Sequence, residues 1–184
     1  MKELIIIDLE GTCTDDRQDG SLPDAERETI EIGAVLIDVG SGDVLSEFNS
    51  LVHPVRHPVL SGFCIALTGI TQADVDGAKP FPEVWMRFLS WLELRDEFCS
   101  WGKYDLDQFK RDCGFHGLSL HFRRHCDLSK AYRQKRCGKG RAMKQLGIIP
   151  TGKKHRGLDD ARNISKIAVA MLKVGKEIRM NDAQ

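Results

Sequence analysis

The sequence has neither a long apolar run nor a closely paired cysteine motif. No stretch approaches the roughly 20 apolar residues that a membrane helix needs, and the chain opens on an apolar run of only four residues, 4–7. None of its six cysteines forms a C-x-x-C pair, and no secretory signal fits the start of the chain. These absences predict a cytoplasmic protein that has reduced thiols and no membrane contact.

The sequence also lacks net charge, because 27 basic residues balance 27 acidic ones. Such a balance normally argues against a nucleic-acid partner, but here the two signs are segregated. Residues 1–50 carry three basic and 13 acidic residues, whereas residues 121–156 carry 12 basic residues and one acidic residue. An acidic part that gathers cations and a basic part, including Lys135 to Lys144, that holds phosphates would explain this pattern. The alternative is two solvated faces.

Hydrophobic patterning predicts one α/β domain over residues 1–184, because this length buries a single substantial core. Strand patterns cover residues 4–7, 29–38, 44–52 and 98–101, and the first three suggest an antiparallel meander. Helical spacing covers residues 63–67, 81–92 and 159–174, and a further helix begins near residue 104.

Acidic residues follow or face these apolar elements at three places. Asp8 and Glu10 end the first strand, and residues two apart in a strand project to the same side. Asp160 lies on the apolar face of the last helix, where a carboxylate is costly unless it has a partner. A shared metal ion would supply that partner.

A further carboxylate and a histidine are candidates for the same site. Asp105 follows the strand at 98–101, and Asp107 is its competitor; only one of the two should enter the site, because they point in different directions at a helix start. His155 lies in a loop five residues before Asp160. Its ordinary pKa near 6.5 suits a general base.

Three ordered motifs and one further segment resemble the DEDDh exonucleases of the DnaQ-like, ribonuclease H-like superfamily. The motifs are IDLEGT at 7–12, SWGKYD at 100–105 and HRGLDD at 155–160, with its H-x4-D spacing. The segment FCIALTGIT at 63–71 resembles the ERI-like and KapD-like exoribonuclease subgroup. The sequence departs from the wider superfamily at Trp101, where Asn is more usual, and this departure keeps Asp107 open as an alternative to Asp105.

The resemblance implies a ribonuclease H-like fold with a central mixed five-stranded sheet, an antiparallel meander plus parallel strands, flanked by helices. It implies a 3′-to-5′ exonuclease that acts on the single-stranded 3′ end of RNA, or DNA, and releases nucleoside 5′-monophosphates. By that similarity two Mg²⁺ or Mn²⁺ ions bind to Asp8, Glu10, Asp105 and Asp160, and His155 activates the attacking water. It also implies a pocket for the last nucleotide, lined by Gly11, Thr12, Leu67, Thr68, Trp101 and His155.

Two other functions fit parts of the sequence. The start Asp8-Leu9-Glu10-Gly11-Thr12 resembles the D-x-D-G-T motif of haloacid dehalogenase-type phosphatases, although Glu10 would be an unusual residue there. A zinc-containing nucleic-acid-binding module without catalysis would use clustered Cys and His residues, although their spacing is irregular. Its candidate ligands are Cys113, His116, His121, His125 and Cys126.

Overall fold

The computed structural model describes residues 3–17, 20–132 and 137–183. The strands within these ranges are β1 Glu3–Gly11, β2 Thr29–Asp38, β3 Val44–His53, β4 Lys79–Pro80, β5 Glu97–Ser100, β6 Arg124–Asp127 and β7 Asn181–Asp182. The α-helices there are α1 Gly62–Thr68, α2 Gln72–Asp76, α3 Phe81–Leu92, α4 Tyr104–Phe115, α5 Leu128–Tyr132, α6 Lys139–Gln145 and α7 Gly157–Lys173. A short 3₁₀ turn covers Asp24–Glu26.

The described strands form one mixed sheet in the order β4-β3-β2-β1-β5-β6-β7. The predicted meander is confirmed, because β1 pairs antiparallel with β2 and β2 antiparallel with β3. The strands β1, β5 and β6 run parallel to one another. The predicted count of five strands is wrong: β4 and β7 add one two-residue strand at each edge, and strands this short leave no alternation in the sequence.

Strand β1 lies in the middle of the sheet and is longer than the predicted strand, since it continues through Gly11. Its side chains alternate between two cores. Ile7 and Leu9 pack in the core beneath α3 and α4, and Ile6 packs in the core beneath α7. Asp8 and Glu10 follow Ile6 at two-residue steps, so both carboxylates belong to the face covered by α7.

The first turn of α7 crosses the sheet very closely, at two glycines. A Cβ atom at Gly33 in β2 would overlap the backbone of Gly157, and a Cβ atom at Gly157 would lie 2.9 Å from the Asp8 carbonyl oxygen. Because neither residue carries a side chain, the start of α7 can rest directly on the sheet. This contact brings Asp160, three residues later, to the level of Asp8.

The remaining expectations concern helices and thiols. Helix α3 spans Phe81–Leu92, as predicted, and its Trp85 is 1% exposed in the core. None of the helices among the described residues combines the length and apolar character needed to cross a bilayer. All six cysteines are free thiols.

Candidate active site

Two carboxylates of β1 form the floor of an acidic cleft of about 250 Å³. Glu10 is 8% exposed, and the Asp8 side chain is 15% exposed. Both belong to the face of the sheet on which α7 packs, so they point into one space as their spacing predicts. The cleft is lined by Asp8, Leu9, Glu10, Gly11, Cys13, Arg27, Leu67, Tyr104, Asp105, Lys139, His155 and Asp160.

Asp105 enters the cleft from the first turn of α4, where it is 4% exposed. Its Oδ1 accepts a hydrogen bond of 2.9 Å from the backbone N–H of Leu9. Strand β5 pairs with β1 at Ile6 and Cys99, so the Leu9 amide lies beyond that pairing and Asp105 satisfies it. Asp107 is half-buried and does not line the cleft. The structure therefore places Asp105 in the cleft rather than Asp107.

Asp160 enters from the first turn of α7, and His155 lies beside it. The backbone N–H of His155 donates to Asp160 Oδ2 at 3.0 Å. Ligand atoms of Glu10, His155 and Asp160 all lie within 4.8 Å of one another. His155 has a φ of 60°, a left-handed conformation that costs a non-glycine residue free energy and is often found at functional sites.

Burial and crowding disfavour the charged forms of three acids in the cleft, Asp8, Glu10 and Asp105. Burial, followed by repulsion from Asp160 and Glu31, raises the pKa of Glu10 to about 8. Burial also raises the pKa of Asp105 to about 6 and that of Asp8 well above its usual range. Buried carboxylates at this spacing are the hard oxygen ligands that Mg²⁺ and Mn²⁺ prefer, and a divalent cation would offset their repulsion. The side chains present therefore fit a divalent metal site.

The pKa of the His155 imidazole shifts in the opposite direction from those of the acids. Burial, and then the charge of Lys154, lower its pKa from the usual value. A lowered pKa keeps the imidazole neutral at neutral pH, which is the form that can accept a proton. Its half-buried ring lies on the wall of the cleft, so a general base is available next to the carboxylates.

Two residues of the predicted nucleotide pocket line this cleft. Leu67, near the end of α1, forms an apolar part of the wall, and Gly11 lies at the end of β1. A Cβ atom at Gly11 would be 2.5 Å from the Tyr104 hydroxyl oxygen, so a larger residue would push Tyr104 away. The structure brings Gly11, Leu67 and His155 together around the acids.

Thr12 and Thr68 do not line the acidic cleft. The Thr12 hydroxyl accepts a hydrogen bond of 3.0 Å from the Glu28 N–H and borders a neighbouring cavity. Thr68 is fully buried, and its hydroxyl donates to the Cys64 carbonyl and accepts from the Ile70 N–H. These contacts stabilise the loop after β1 and the end of α1, so both threonines shape the elements beside the cleft.

Trp101, also predicted to contact the substrate, lies outside the cleft. It follows β5 and packs beside Tyr132 in the core under α7, with ring centroids 6.1 Å apart. Its indole N–H donates to the Cys137 carbonyl at 2.9 Å. Trp101 therefore anchors the segment that leads into α6.

The charged residues near the site that were not predicted from the sequence include Arg27, which lines the cleft, Glu31 and Lys139. Glu31 in β2 is fully buried and pairs across the sheet with Glu10. Its carboxylate accepts from the Arg156 guanidinium at 2.9 Å and from the Gly157 N–H at 2.8 Å, so it holds the start of α7. Lys139 reaches into the cleft from the start of α6. Glu31 could have been noticed as an acidic residue within the apolar pattern of β2. Lys139 had no such signal, because it is one of several basic residues in its segment.

The proposed zinc ligands are dispersed. His125 Nε2 lies 2.9 Å from Ser100 Oγ, and Cys126, the next residue of β6, packs in the core under α7. Cys113 packs in the core on the other side of the sheet. Among the described residues, no three of the five candidates come within reach of one ion. The structure therefore gives no support to a zinc module.

The mixed sheet, and the four carboxylates that β1, α4 and α7 bring into one cleft, fit the ribonuclease H-like class of fold with a divalent metal site. The family model described as Exonuclease, RNase_T, matches residues 5–168. The chain belongs to this exonuclease family, as its motifs predicted. The haloacid dehalogenase-type phosphatase alternative is therefore wrong.

Individual relatives agree with this assignment. ERI1 exoribonuclease 2 of Danio rerio is 36% identical over 98% of this chain, and 3′-5′ exoribonuclease 1 of Homo sapiens is 31% identical over 97%. The match spans 37% and 55% of those two proteins, so this chain covers about half of their length or less. The crystal structure of the nuclease domain of 3′hExo, a DEDDh family member bound to rAMP, superposes with a TM-score of 0.89 at 31% identity. That match covers 98% of this chain and 96% of the domain.

Proposed function

We propose that this chain is a divalent-metal-dependent exonuclease that removes nucleotides one at a time from the single-stranded 3′ end of RNA. The observation that carries the proposal is the cleft itself. Asp8, Glu10, Asp105 and Asp160 come from distant parts of the chain and meet there, beside the neutral imidazole of His155. Burial raises the pKa values of Asp8, Glu10 and Asp105, so a bound divalent cation would stabilise the charged forms of these three carboxylates.

The four carboxylates would hold two Mg²⁺ or Mn²⁺ ions. When bound, such a pair supplies Lewis-acid stabilisation of both the attacking and the leaving oxygen of a phosphodiester. The fold contributes the arrangement: Asp105 is fixed by the Leu9 amide, and Asp160 is fixed by the His155 amide. These backbone contacts hold the carboxylates in place although they repel one another.

The remaining cleft residues act on the nucleotide and on water. The neutral imidazole of His155 accepts a proton from the attacking water, whose oxygen bonds to the phosphorus of the last phosphodiester while the bond from that phosphorus to the preceding O3′ breaks. The shortened RNA leaves with this 3′ oxygen, which takes up a proton from solvent, and the last nucleotide leaves as a nucleoside 5′-monophosphate. Leu67 offers an apolar surface to the terminal base or sugar, and Gly11 leaves room beside Tyr104. The exposed Lys153 and Lys154 next to His155 suit the approach of a polyanion.

RNA is the proposed substrate because relatives at 31% to 36% identity are named exoribonucleases. A neighbouring 3′-exonuclease structure, at 29% identity and a TM-score of 0.88, is described as recognising the histone mRNA stem-loop at its 3′ end. More distant neighbours at 12% to 20% identity include DNA complexes and share the fold alone. We also propose a cytoplasmic location for the reaction, which the six free thiols suit.

A pair of end-labelled substrates tests the proposal. The same oligonucleotide, as RNA and as DNA, carries a label at its 5′ or its 3′ end and is incubated with Mg²⁺, Mn²⁺ or EDTA. The 5′-labelled RNA should shorten in single-nucleotide steps, and the 3′-labelled RNA should release its label at once as a mononucleotide. EDTA should stop both, and Asp8→Asn should be inactive under every condition. Internal fragments, or release from the 5′ end, would contradict the proposal, and equal rates on DNA would remove its preference for RNA.

A further inference from the structure

A lysine ammonium lies inside the carboxylate cluster. Lys139 Nζ is 2.8 Å from Asp160 Oδ2 and 3.6 Å from Asp8 Oδ1. The Lys139 side chain is 21% exposed, and the Asp160 side chain 4%. The ammonium therefore bridges two of the four acids that would hold the divalent ions, one from β1 and one from α7.

The backbone around Lys139 is fixed, so this placement follows from the fold. Lys139 is the first residue of α6, and Ala142 and Met143 of the same helix are buried against the core under α7. Before the helix, the Cys137 carbonyl accepts the hydrogen bond from the Trp101 indole. With both sides anchored, the long stem of Lys139 extends along the wall of the cleft to the acids.

A lysine ammonium carries its charge at neutral pH, and here it lies against the carboxylates of Asp160 and Asp8. The other basic side chains of α6, Arg141 and Lys144, point to solvent. Lys139 thus differs from its helix neighbours in both position and partners.

We propose that Lys139 is a tethered counter-ion of the acid cluster, which bridges Asp8 and Asp160 when no divalent ion is bound and competes with such an ion for this pair. The inference rests on the metal site of the proposed function. The ammonium occupies the Asp160 and Asp8 oxygens that would coordinate a divalent ion and would repel that ion, so binding of the divalent ion displaces the ammonium. The flexible four-carbon stem allows this movement. The lysine would stabilise the metal-free protein and weaken its affinity for metal.

The test compares Lys139→Met with Lys144→Met. Methionine keeps a stem of similar length, and Lys144 is an exposed lysine of the same helix, so the control loses the same charge outside the cleft. Metal-stripped proteins are titrated with MnCl₂ by calorimetry, and their thermal unfolding is followed with EDTA and with saturating Mn²⁺. Lys139→Met should bind Mn²⁺ about tenfold more tightly than the unaltered protein. It should melt at a lower temperature in EDTA and recover fully with Mn²⁺, whereas Lys144→Met should match the unaltered protein in both assays.

Other outcomes overturn the inference at different levels. If the unaltered chain binds no Mn²⁺, the metal site of the proposed function fails together with the inference. If it binds Mn²⁺ and Lys139→Met binds equally or more weakly, the counter-ion role alone fails and the metal site stands. Lys139→Arg separates charge from packing: it keeps the cation, so it should bind Mn²⁺ more weakly than Lys139→Met does, and equal affinities of the two variants would also overturn the inference.

Discussion

Glu31 and Arg156 form one ion pair, but we expect the loss of each partner to lower the free energy of unfolding by a different amount. The Glu31 side chain is 1% exposed and the Arg156 side chain 31% exposed. If Arg156 is lost, a buried carboxylate keeps the Gly157 N–H and loses its cation. If Glu31 is lost, the guanidinium can turn toward water. The two partners of one ion pair should therefore differ in what their removal costs.

The magnitudes follow from burial. Removing one partner of a buried pair costs about 3–5 kcal/mol, and partial exposure of Arg156 places Arg156→Met near the lower end, at about 3 kcal/mol. Glu31→Gln loses charge-assisted hydrogen bonds but leaves no buried charge, so it should cost about 1–2 kcal/mol. The double variant should be less destabilised than the sum of the two, by about 1–2 kcal/mol of coupling free energy.

Urea unfolding in EDTA measures these free energies without a contribution from bound metal. Arg162→Met is the matched control, because Arg162 lies in α7, six residues after Arg156, and pairs with Glu47, with side chains 39% and 32% exposed. Exposed pairs contribute about 0–1 kcal/mol. The reasoning is refuted if Arg156→Met costs no more than Arg162→Met, or if Glu31→Gln is the more damaging of the two changes to the buried pair.

Four further predictions concern the cleft, its support at Gly33 and the buried His125. Asp8→Asn should remove activity and keep the fold, as measured by end-labelled RNA assays and circular dichroism, and His155→Ala should slow cleavage by about 10²-fold or more through loss of the general base. Gly33→Ala should destabilise the protein by about 3 kcal/mol in urea unfolding, because its methyl group overlaps the backbone of α7. Burial lowers the pKa of His125 to about 4. As the pH falls, the unfolded chain therefore takes up this proton before the folded protein does. Between pH 7 and pH 5 the free energy of unfolding of the unaltered protein should fall by about 2 kcal/mol relative to that of His125→Gln.

Each of these predictions has an outcome that would contradict it. Undiminished RNA trimming by Asp8→Asn would remove this residue from the site, and normal rates in His155→Ala would remove the general base. A fully stable Gly33→Ala would show that α7 can move away from β2 without cost. An equal pH dependence of unfolding in His125→Gln and the unaltered chain would mean that His125 is not held neutral in the core.

Residues whose role depends on one element could be predicted from the sequence. Asp8 and Glu10 share a face because a strand alternates, and Asp160 faces the core because a helix repeats every 3.6 residues. Asp105 could not be separated from Asp107 in this way. Asp105 differs from Asp107 because it accepts the hydrogen bond from the Leu9 amide in β1, 96 positions away in the chain. Local patterning contains no such information.

Residues whose position depends on how elements meet could not be placed from the sequence alone. The resemblance placed Thr12 and Thr68 in the nucleotide pocket, but their hydroxyls bond to nearby backbone groups, and a motif does not encode which way a hydroxyl points. The position of Trp101 could not be predicted either, because its indole N–H donates to the Cys137 carbonyl, which lies 36 positions away. The same contact directs Lys139 into the cleft, which explains why this lysine could not be distinguished from its basic neighbours in the sequence.

The acids of the cleft repel one another, so their arrangement has to be held by contacts that they do not make with each other. Those contacts are the Leu9 amide for Asp105, the His155 amide for Asp160, and the close approach of Gly33 and Gly157 that seats α7 on the sheet. An acid can then be replaced by its amide without loss of the fold, because Asn keeps an oxygen that accepts these backbone hydrogen bonds. A substitution at Gly33 should instead lower both stability and activity, because it pushes α7, which carries Asp160, away from the sheet. Activity and stability should therefore respond independently to substitutions of the acids and together to substitutions of their supports.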